Sequence, residues 1–347
     1  MKSKVYFIAT ILVLFLVNLI KDSIDPYYYT ILIYIGINII LASSLNLING
    51  FTGQFSLGHA GFMAIGGYLS ITLSTYFAPF FNSVFGTGDF GMNMTFVFLM
   101  LVSGIAAAIV GLLVGVPSLR LKGDYLAIVT LGFAEIIRVV IQGLDFIGGS
   151  QGYRGIYIYE DGVKSLSMLE NTTTNFMFYG VPKYANFFWV FFIAAFLIYF
   201  TYNLINSTYG RGFIAVKDDE VAAESMGINT TKFKVSAFVS GAFFAGIAGS
   251  LYGHFNLYLN PEDFNFLKSV EIVVMVILGG MGSIPGVIIA AVILTILPEL
   301  LRGISEYRMV VYSLLLIIMM LTRPQGIFGV KLKISKKKKD IARTPDK

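Results

Sequence analysis

The residues of this chain that could do chemistry are few, and they are polar rather than reactive. With no cysteine and two histidines, there is almost nothing for a thiolate nucleophile, a disulfide or a histidine-based metal centre to use. No Gly-x-x-x-x-Gly-Lys-Ser/Thr phosphate loop occurs. Gly279-Gly-Met-Gly-Ser-Ile-Pro-Gly286 lacks the lysine and lies among apolar residues, where its glycines suit close helix packing or a broken helix. The sharpest feature is instead a charged break between two apolar runs, Arg211-Gly-Phe-Ile-Ala-Val-Lys-Asp-Asp-Glu-Val-Ala-Ala-Glu-Ser-Met-Gly227. Asp218 or Asp219 can cap a helix whose first turn is acidic, and Gly227 supplies a left-handed stop after Met226. A helix of about two turns is marginal in water, so something else must hold it. It reads either as a loop helix lying on a surface or as a coupling helix seated in the cleft of a cytoplasmic motor.

Three further groups stand out inside apolar sequence. Glu135 and Arg138 are spaced i,i+3, share a helix face and can neutralise each other; they either lock a helix into a bundle or line a pathway. Gln54, Ser56 and His59 are the polar members of a glycine-broken stretch, with His59 between Gly58 and Gly61 as a packing residue or a gate. Ser283 and Pro285 could open a new helix whose N–H groups meet an anion, or could form a tight turn between two spans. Gln151, Tyr153 and Arg154 follow Gly148-Gly149, in a solvated loop or against an external partner.

The elements that must position these residues are membrane spans. Of 347 residues 56% are apolar and only 13% charged, about half the charged share of a soluble domain. Apolar runs lie near 5–20, 26–49, 59–80, 96–116, 125–144, 187–204, 233–253, 270–279, 286–301 and 309–322, and about 20 residues cross a bilayer. The reading is an all-α, polytopic transmembrane helical bundle of about ten spans with glycine-broken helices. Residues 1–24 hold an extra, retained first span, because no small-x-small cleavage site precedes Lys21-Asp22. Asp25-Pro26 caps the second span, and Tyr27, Tyr28 and Tyr29 suit an interfacial belt. The runs 270–279 and 309–322 are short enough to be half-helices.

Residues 331–347 carry eight Lys/Arg against two Asp, a net +6 that leaves the remainder near neutral. Beside a final span such a tail is a topology signal, and without interleaved aromatics it does not favour nucleic acid. Ten crossings from a basic, inside N-terminus return this tail to the inside. They place 117–124 and 205–232 in the cytoplasm and 145–186 outside, the last as a small cap or short helix.

These residues also carry a resemblance. Val221-Ala-Ala-x-x-x-Gly227 is similar to the EAA-x-x-x-G loop of binding-protein-dependent ABC importer permeases, and Gly210-Arg-Gly-Phe-Ile-Ala-Val-Lys-Asp-Asp-Glu-x-Ala-Ala-Glu-Ser-Met-Gly-Ile228 looks like that loop in the branched-chain amino acid permeases. Leu45-Asn-Leu-Ile-Asn-Gly-Phe-Thr-Gly-Gln-Phe-Ser-Leu-Gly-His-Ala-Gly-Phe62, Val276-Ile-Leu-Gly-Gly-Met-Gly-Ser-Ile-Pro-Gly286 and Thr322-Arg-Pro-Gln-Gly-Ile-Phe-Gly329 agree with it. The resemblance covers about 27–330 and favours the LivM type. Val221 stands where the pattern has its first Glu, Glu220 comes one residue earlier, and no Ile-x-Leu-Pro follows.

The resemblance implies an inner-membrane transport subunit, not an enzyme, that binds no cofactor or metal itself. Its implied partners are a second, LivH-type permease, two ATP-hydrolysing subunits and an external amino-acid-binding protein. Arg211, Asp218, Asp219, Glu220, Ala222, Ala223, Glu224 and Gly227 then form the ATPase-coupling surface. Gln54, Ser56, His59, Glu135, Arg138 and Ser283 are candidates for the translocation path. Cargo is expected to be leucine, isoleucine or valine, with urea, amides or other amino acids as the related alternative. An ion-driven transporter or a structural scaffold is the reading from another class.

Overall fold

The computed structural model describes residues 25–304 except 87, 120, 122, 160–161 and 166–176, together with a few helical positions between 310 and 318. The expected span 5–20, most of the span 309–322 and the basic tail lie outside the described residues. Helix α1 (Pro26–Asn49) begins where expected: the Asp25 carboxylate accepts the Tyr27 N–H at 2.8 Å and Pro26 takes the first helical position. The run expected at 59–80 is two helices, α2 (His59–Tyr76) and α3 (Ala78–Phe85), because Pro79 opens a new helix after Phe77. Helices α4 (Asp89–Ser118), α5 (Asp124–Gln142) and α6 (Phe187–Asn206) follow. Beyond them lie α7 (Thr208–Asp218), α8 (Glu220–Ser225), α9 (Thr230–Asn256), α10 (Phe266–Gly279) and α11 (Ile284–Leu300).

Contacts between helix ends give the bundle two faces. On one face Gly50, after α1, packs on Gly282 in the turn between α10 and α11, with Lys217 of α7 beside Gly282 and Gly53. On the opposite face Tyr27 donates to Glu299 near the end of α11, and Tyr76, at the end of α2, donates to the Phe146 carbonyl at 2.8 Å. Helices α1, α2, α4, α5, α6, α9, α10 and α11 therefore alternate in direction along the axis that joins the two faces. Among the described residues α1, α4, α5, α6 and α9 are long and apolar enough to cross a membrane.

The segment 145–186 is not the short helix that was one of its two expected forms. It carries short 3-10 turns and a three-stranded antiparallel sheet, β1 (Gly155–Tyr159), β2 (Gly162–Ser165) and β3 (Met177–Gly180), in the order β2-β1-β3. Ile156 pairs with Ser165 on one side and Tyr179 on the other. The Gly-Ile-Tyr-Ile-Tyr run is β-branched and aromatic, which favours a strand over a helix. The sheet is moored to the bundle through a bridge between Tyr153 and Leu259 and a hydrogen bond between the Tyr153 and Thr75 hydroxyls.

Helix α1 is central, with 83% of its apolar window buried, whereas α5 and α6 are peripheral at 28%. Exposed apolar rows on α4 (Leu101, Ile105, Leu112) and α5 (Ile128, Ile136, Val139) suit hydrocarbon rather than water. The closest packing is between α2 and α9. A Cβ at Gly66 would fall on the Gly246 backbone, and one at Gly249 on the Met63 carbonyl, so the two backbones touch where no side chain fits. Beside this crossing the Ser70 hydroxyl bonds the Ser250 hydroxyl at 2.7 Å and His254 Nε2 at 2.9 Å; His254 Nδ1 lies 2.9 Å from the Pro182 carbonyl oxygen. Gly66→Val should cost about 1–3 kcal/mol by overpacking and lower the melting temperature in detergent. Gly132→Ala, at an open position on α5, should not; size-exclusion after a heating series reads both.

Candidate functional site

Between α1 and α2 the chain leaves the helix at Gly50 and resumes at His59, and each exposed backbone group needs a partner. Side chains from α1 and from other helices supply several of them. Asn49 Oδ1 accepts the Ser56 N–H at 3.2 Å, Thr130 Oγ1 of α5 accepts the Leu57 N–H at 3.1 Å, and Ser269 Oγ of α10 accepts the Ala60 N–H at 3.2 Å. The second broken stretch is tied to the first. Asn46 Oδ1 accepts the Gly282 N–H at 2.9 Å across the α1 end.

Ser283 caps α11, accepting the Gly286 N–H at 3.2 Å with Pro285 in the first turn. His59 Nε2 pairs with Ser44 Oγ at 2.8 Å. Both amide atoms of Gln54, Nδ2 of Asn49 and Nδ1 of His59 are buried without a hydrogen-bond partner from the protein. Unpartnered buried polar atoms cost about 1–3 kcal/mol each, so this region carries a polar lining that packing alone does not require.

The charged segment lies directly over this region. The short helix expected between an Asp218 or Asp219 cap and Gly227 is α8, six residues long with Asp219 as its cap, and a separate helix precedes it: α7 ends at Asp218 and Asp219 is extended (φ −157°, ψ 108°). The break follows from Asp219, whose carboxylate accepts the Val221 and Ala222 N–H groups at 2.9 and 3.0 Å and so starts a new helix. At the other end Gly227 (φ +82°) closes α8: its N–H bonds the Glu224 carbonyl at 2.9 Å, and the Ile228 N–H bonds that of Ala223 at 3.1 Å.

The body grips α8 from one side. Ala223 is buried, and Glu220 pairs with Lys234 of α9 at 2.6 Å. On the far side Val221 and Met226 are 66% and 82% exposed, beside exposed Ala222 and Glu224. Lys217 joins the layers: a Cβ at Gly53 would lie 3.4 Å from its Cγ, and one at Gly282 would lie 3.1 Å from its Nζ. A cavity of about 250 Å³ opens among Gly53, Gln54, Leu121, Lys217 and Lys234.

The structure thus brings Gln54, Ser56, His59 and Ser283 to the two broken stretches, with Asp218, Asp219 and Glu220 next to them. Arg211 is exposed on α7. Glu135 and Arg138 belong elsewhere: Arg138 Nε bonds Glu135 at 2.8 Å and its Nη1 bonds Glu262 at 2.8 Å, in the 3-10 turn Pro261–Phe264 that follows α9. Gln142 joins this clamp at 2.9 Å. Lys217, Lys234 and Asn46 were not among the candidates. A lysine just inside the start of the apolar run 233–253 was the available signal for Lys234.

A family model described as the permease component of branched-chain amino acid transport systems matches residues 27–320. The chain belongs to that family. LivM, the high-affinity branched-chain amino acid transport system permease protein of Escherichia coli K12, is 35% identical over 307 residues, covering 84% of this chain and 67% of that protein. A probable LivM of Methanocaldococcus jannaschii is 26% identical over 342 residues, 87% of this chain and 93% of its own length. LivH of Escherichia coli K12 matches this permease over only 125 residues, 35% of the chain, at 38% identity. No solved structure matches. The LivM type expected from the sequence is therefore the correct one.

Loss of the α8 cap is measurable in this permease. Asp219→Ala should remove about 1 kcal/mol of helix stability and speed amide hydrogen exchange at Val221 and Ala222 by about fivefold, leaving α9 amides unchanged.

Proposed function

We propose that this permease forms one half of the membrane pathway of a high-affinity ABC importer for leucine, isoleucine and valine, and that cytoplasmic ATPases drive it through α8. The observation that carries the reading is Lys217. It bears on Gly53 and Gly282, so any displacement of α7 and α8 reaches both broken stretches. A six-residue helix capped at both ends, gripped on one side and showing Val221 and Met226 on the other, has the form of a part built to be held by a partner.

The two unwound stretches sit at one end of the bundle, and their side-chain hydrogen bonds can be exchanged more readily than helical ones. A pathway there opens and closes by regrouping a few polar contacts rather than by breaking a helix. The alternation of eight helices, extended by the apolar runs 5–20 and 309–322, gives ten crossings with both termini and α8 in the cytoplasm and the three-stranded sheet outside. A LivH-type permease completes the pair, two ATPases bind beneath, and an external binding protein delivers the amino acid.

Reconstitution of the complete transporter in proteoliposomes tests this. Co-purification in mild detergent should bring the second permease and the ATPases with this chain. Ala223→Pro deletes the Ala223 N–H bond to the Asp219 carbonyl (3.0 Å) and costs about 3 kcal/mol inside a helix, so it should abolish stimulation of ATP hydrolysis by loaded binding protein while leaving membrane insertion intact. Lys217→Ala should keep α8 and the assembly but lower leucine uptake per ATP by about tenfold, the equivalent of ~1.4 kcal/mol of coupling. Unchanged coupling in both variants would overturn the assignment.

A further inference from the structure

A second cavity, of about 220 Å³, lies in the other half of the bundle, between α1, α10 and α11. It is smaller than the roughly 300–1,000 Å³ of sites for drug-sized molecules and fits a small solute. Its depth is set by its contacts: Asn38, midway along α1, donates to Thr295 Oγ1 at 2.9 Å and its Oδ1 lies 3.4 Å from Lys268 Nζ. Helix α10 starts only at that level, because the preceding Pro261–Phe264 turn folds back against the rings of Tyr68 and Tyr252.

The walls divide by chemistry. Lys268 is a cation, Glu271 and Glu299 are carboxylates, and Ile37, Met63 and Leu294 are apolar. Lys268 Nζ bonds Glu271 at 3.0 Å, and both side chains remain partly open, at 21% and 34%. An ammonium has three donors, and its contacts with Glu271 and Asn38 use two.

Stability does not account for this pair. Charges at mid-depth in a membrane protein are costly, and Lys268 stands in the first turn of α10, at the positive end of the helix dipole, where a cation is disfavoured. A solute that carries one carboxylate, one ammonium and an apolar branch matches all three kinds of wall at once.

We propose that this cavity is a binding site for the zwitterionic amino acid within the membrane. Its α-carboxylate sits on the Lys268 ammonium with Thr295 beside it, its α-ammonium lies between Glu271 and Glu299, and its branched side chain rests on Ile37, Met63 and Leu294. The proposal rests on the import reading above and adds to it a stopping point between the external face and the polar region around Gln54.

The test is equilibrium binding of radiolabelled L-leucine to the complete transporter in lipid nanodiscs without binding protein. Saturable binding is expected. Leucinamide, which lacks the carboxylate, and 4-methylpentanoate, which lacks the ammonium, should each compete at least about tenfold more weakly than leucine, since each leaves one buried charge without its partner. Lys268→Met should weaken binding by a similar factor, Lys268→Arg should retain it, and the charge-swapped pair Lys268→Glu with Glu271→Lys should not recover it. Wild-type binding by the swapped pair, or equal competition by all three compounds, would make the ion pair purely structural and overturn the proposal. So would absence of binding in a complex that takes up leucine when binding protein is supplied, with the import reading left standing. A complex that neither binds leucine nor takes it up with binding protein present would overturn both.

Discussion

The arrangement depends on one contact, the meeting of α2 and α9 backbone to backbone at Gly66, Gly246 and Gly249. Lipid tails are as apolar as leucine side chains, so burial of apolar surface does not pull helices together in a bilayer as it does in water. Association relies on close van der Waals packing and on polar bonds between helices. Glycines on both sides let two long segments approach until main chain touches main chain. The Ser70, Ser250 and His254 bonds then fix the register and extend to Pro182, just after β3.

With that axis rigid, the rest of the bundle can afford irregular backbone. The stretch from Gly50 to Gly58 would be ruinous facing lipid, but here Asn49, Thr130 and Ser269 replace the missing helical bonds, and Asn46 bonds the turn at Gly282. Asn46 and Asn49 come from the end of α1 itself, while Thr130 and Ser269 come from helices anchored elsewhere in the bundle. The broken stretches are therefore defined by their neighbours and respond when those neighbours shift. Lys217 is the neighbour with a route to the outside of the molecule, through α7 to the exposed face of α8.

Charged groups follow a division of labour between clamps and linings. Arg138 with Glu135 and Glu262 staples α5 to the turn after α9, on the face opposite α8, and Gln142 adds a further bond. Glu220 with Lys234 holds α8 against α9. Lys268 with Glu271 has the same spacing as Glu135 with Arg138, but borders a cavity. Spacing alone does not separate these roles; the neighbouring backbone does.

Much was legible in the residues themselves. The apolar runs marked the helices, because hydrocarbon demands unbroken apolar stretches and helical hydrogen bonding, and Asp25-Pro26, Asp219 and Gly227 marked caps, because caps are local chemistry. Membership of the permease family was equally local, carried by the Asn-Gly-Phe-Thr-Gly-Gln stretch and the 210–228 loop. The three-stranded sheet was not legible, since strands become visible through partners distant in sequence, and neither was the separate helix α7 that precedes the Asp219 cap. Only the folded chain set Lys217 against both Gly53 and Gly282, sent Glu135 and Arg138 away from the broken stretches, and brought Lys268 level with Asn38. Those are juxtapositions of residues up to 230 positions apart, and helix packing decides them, because no pattern within a single segment records which face of another segment it will meet.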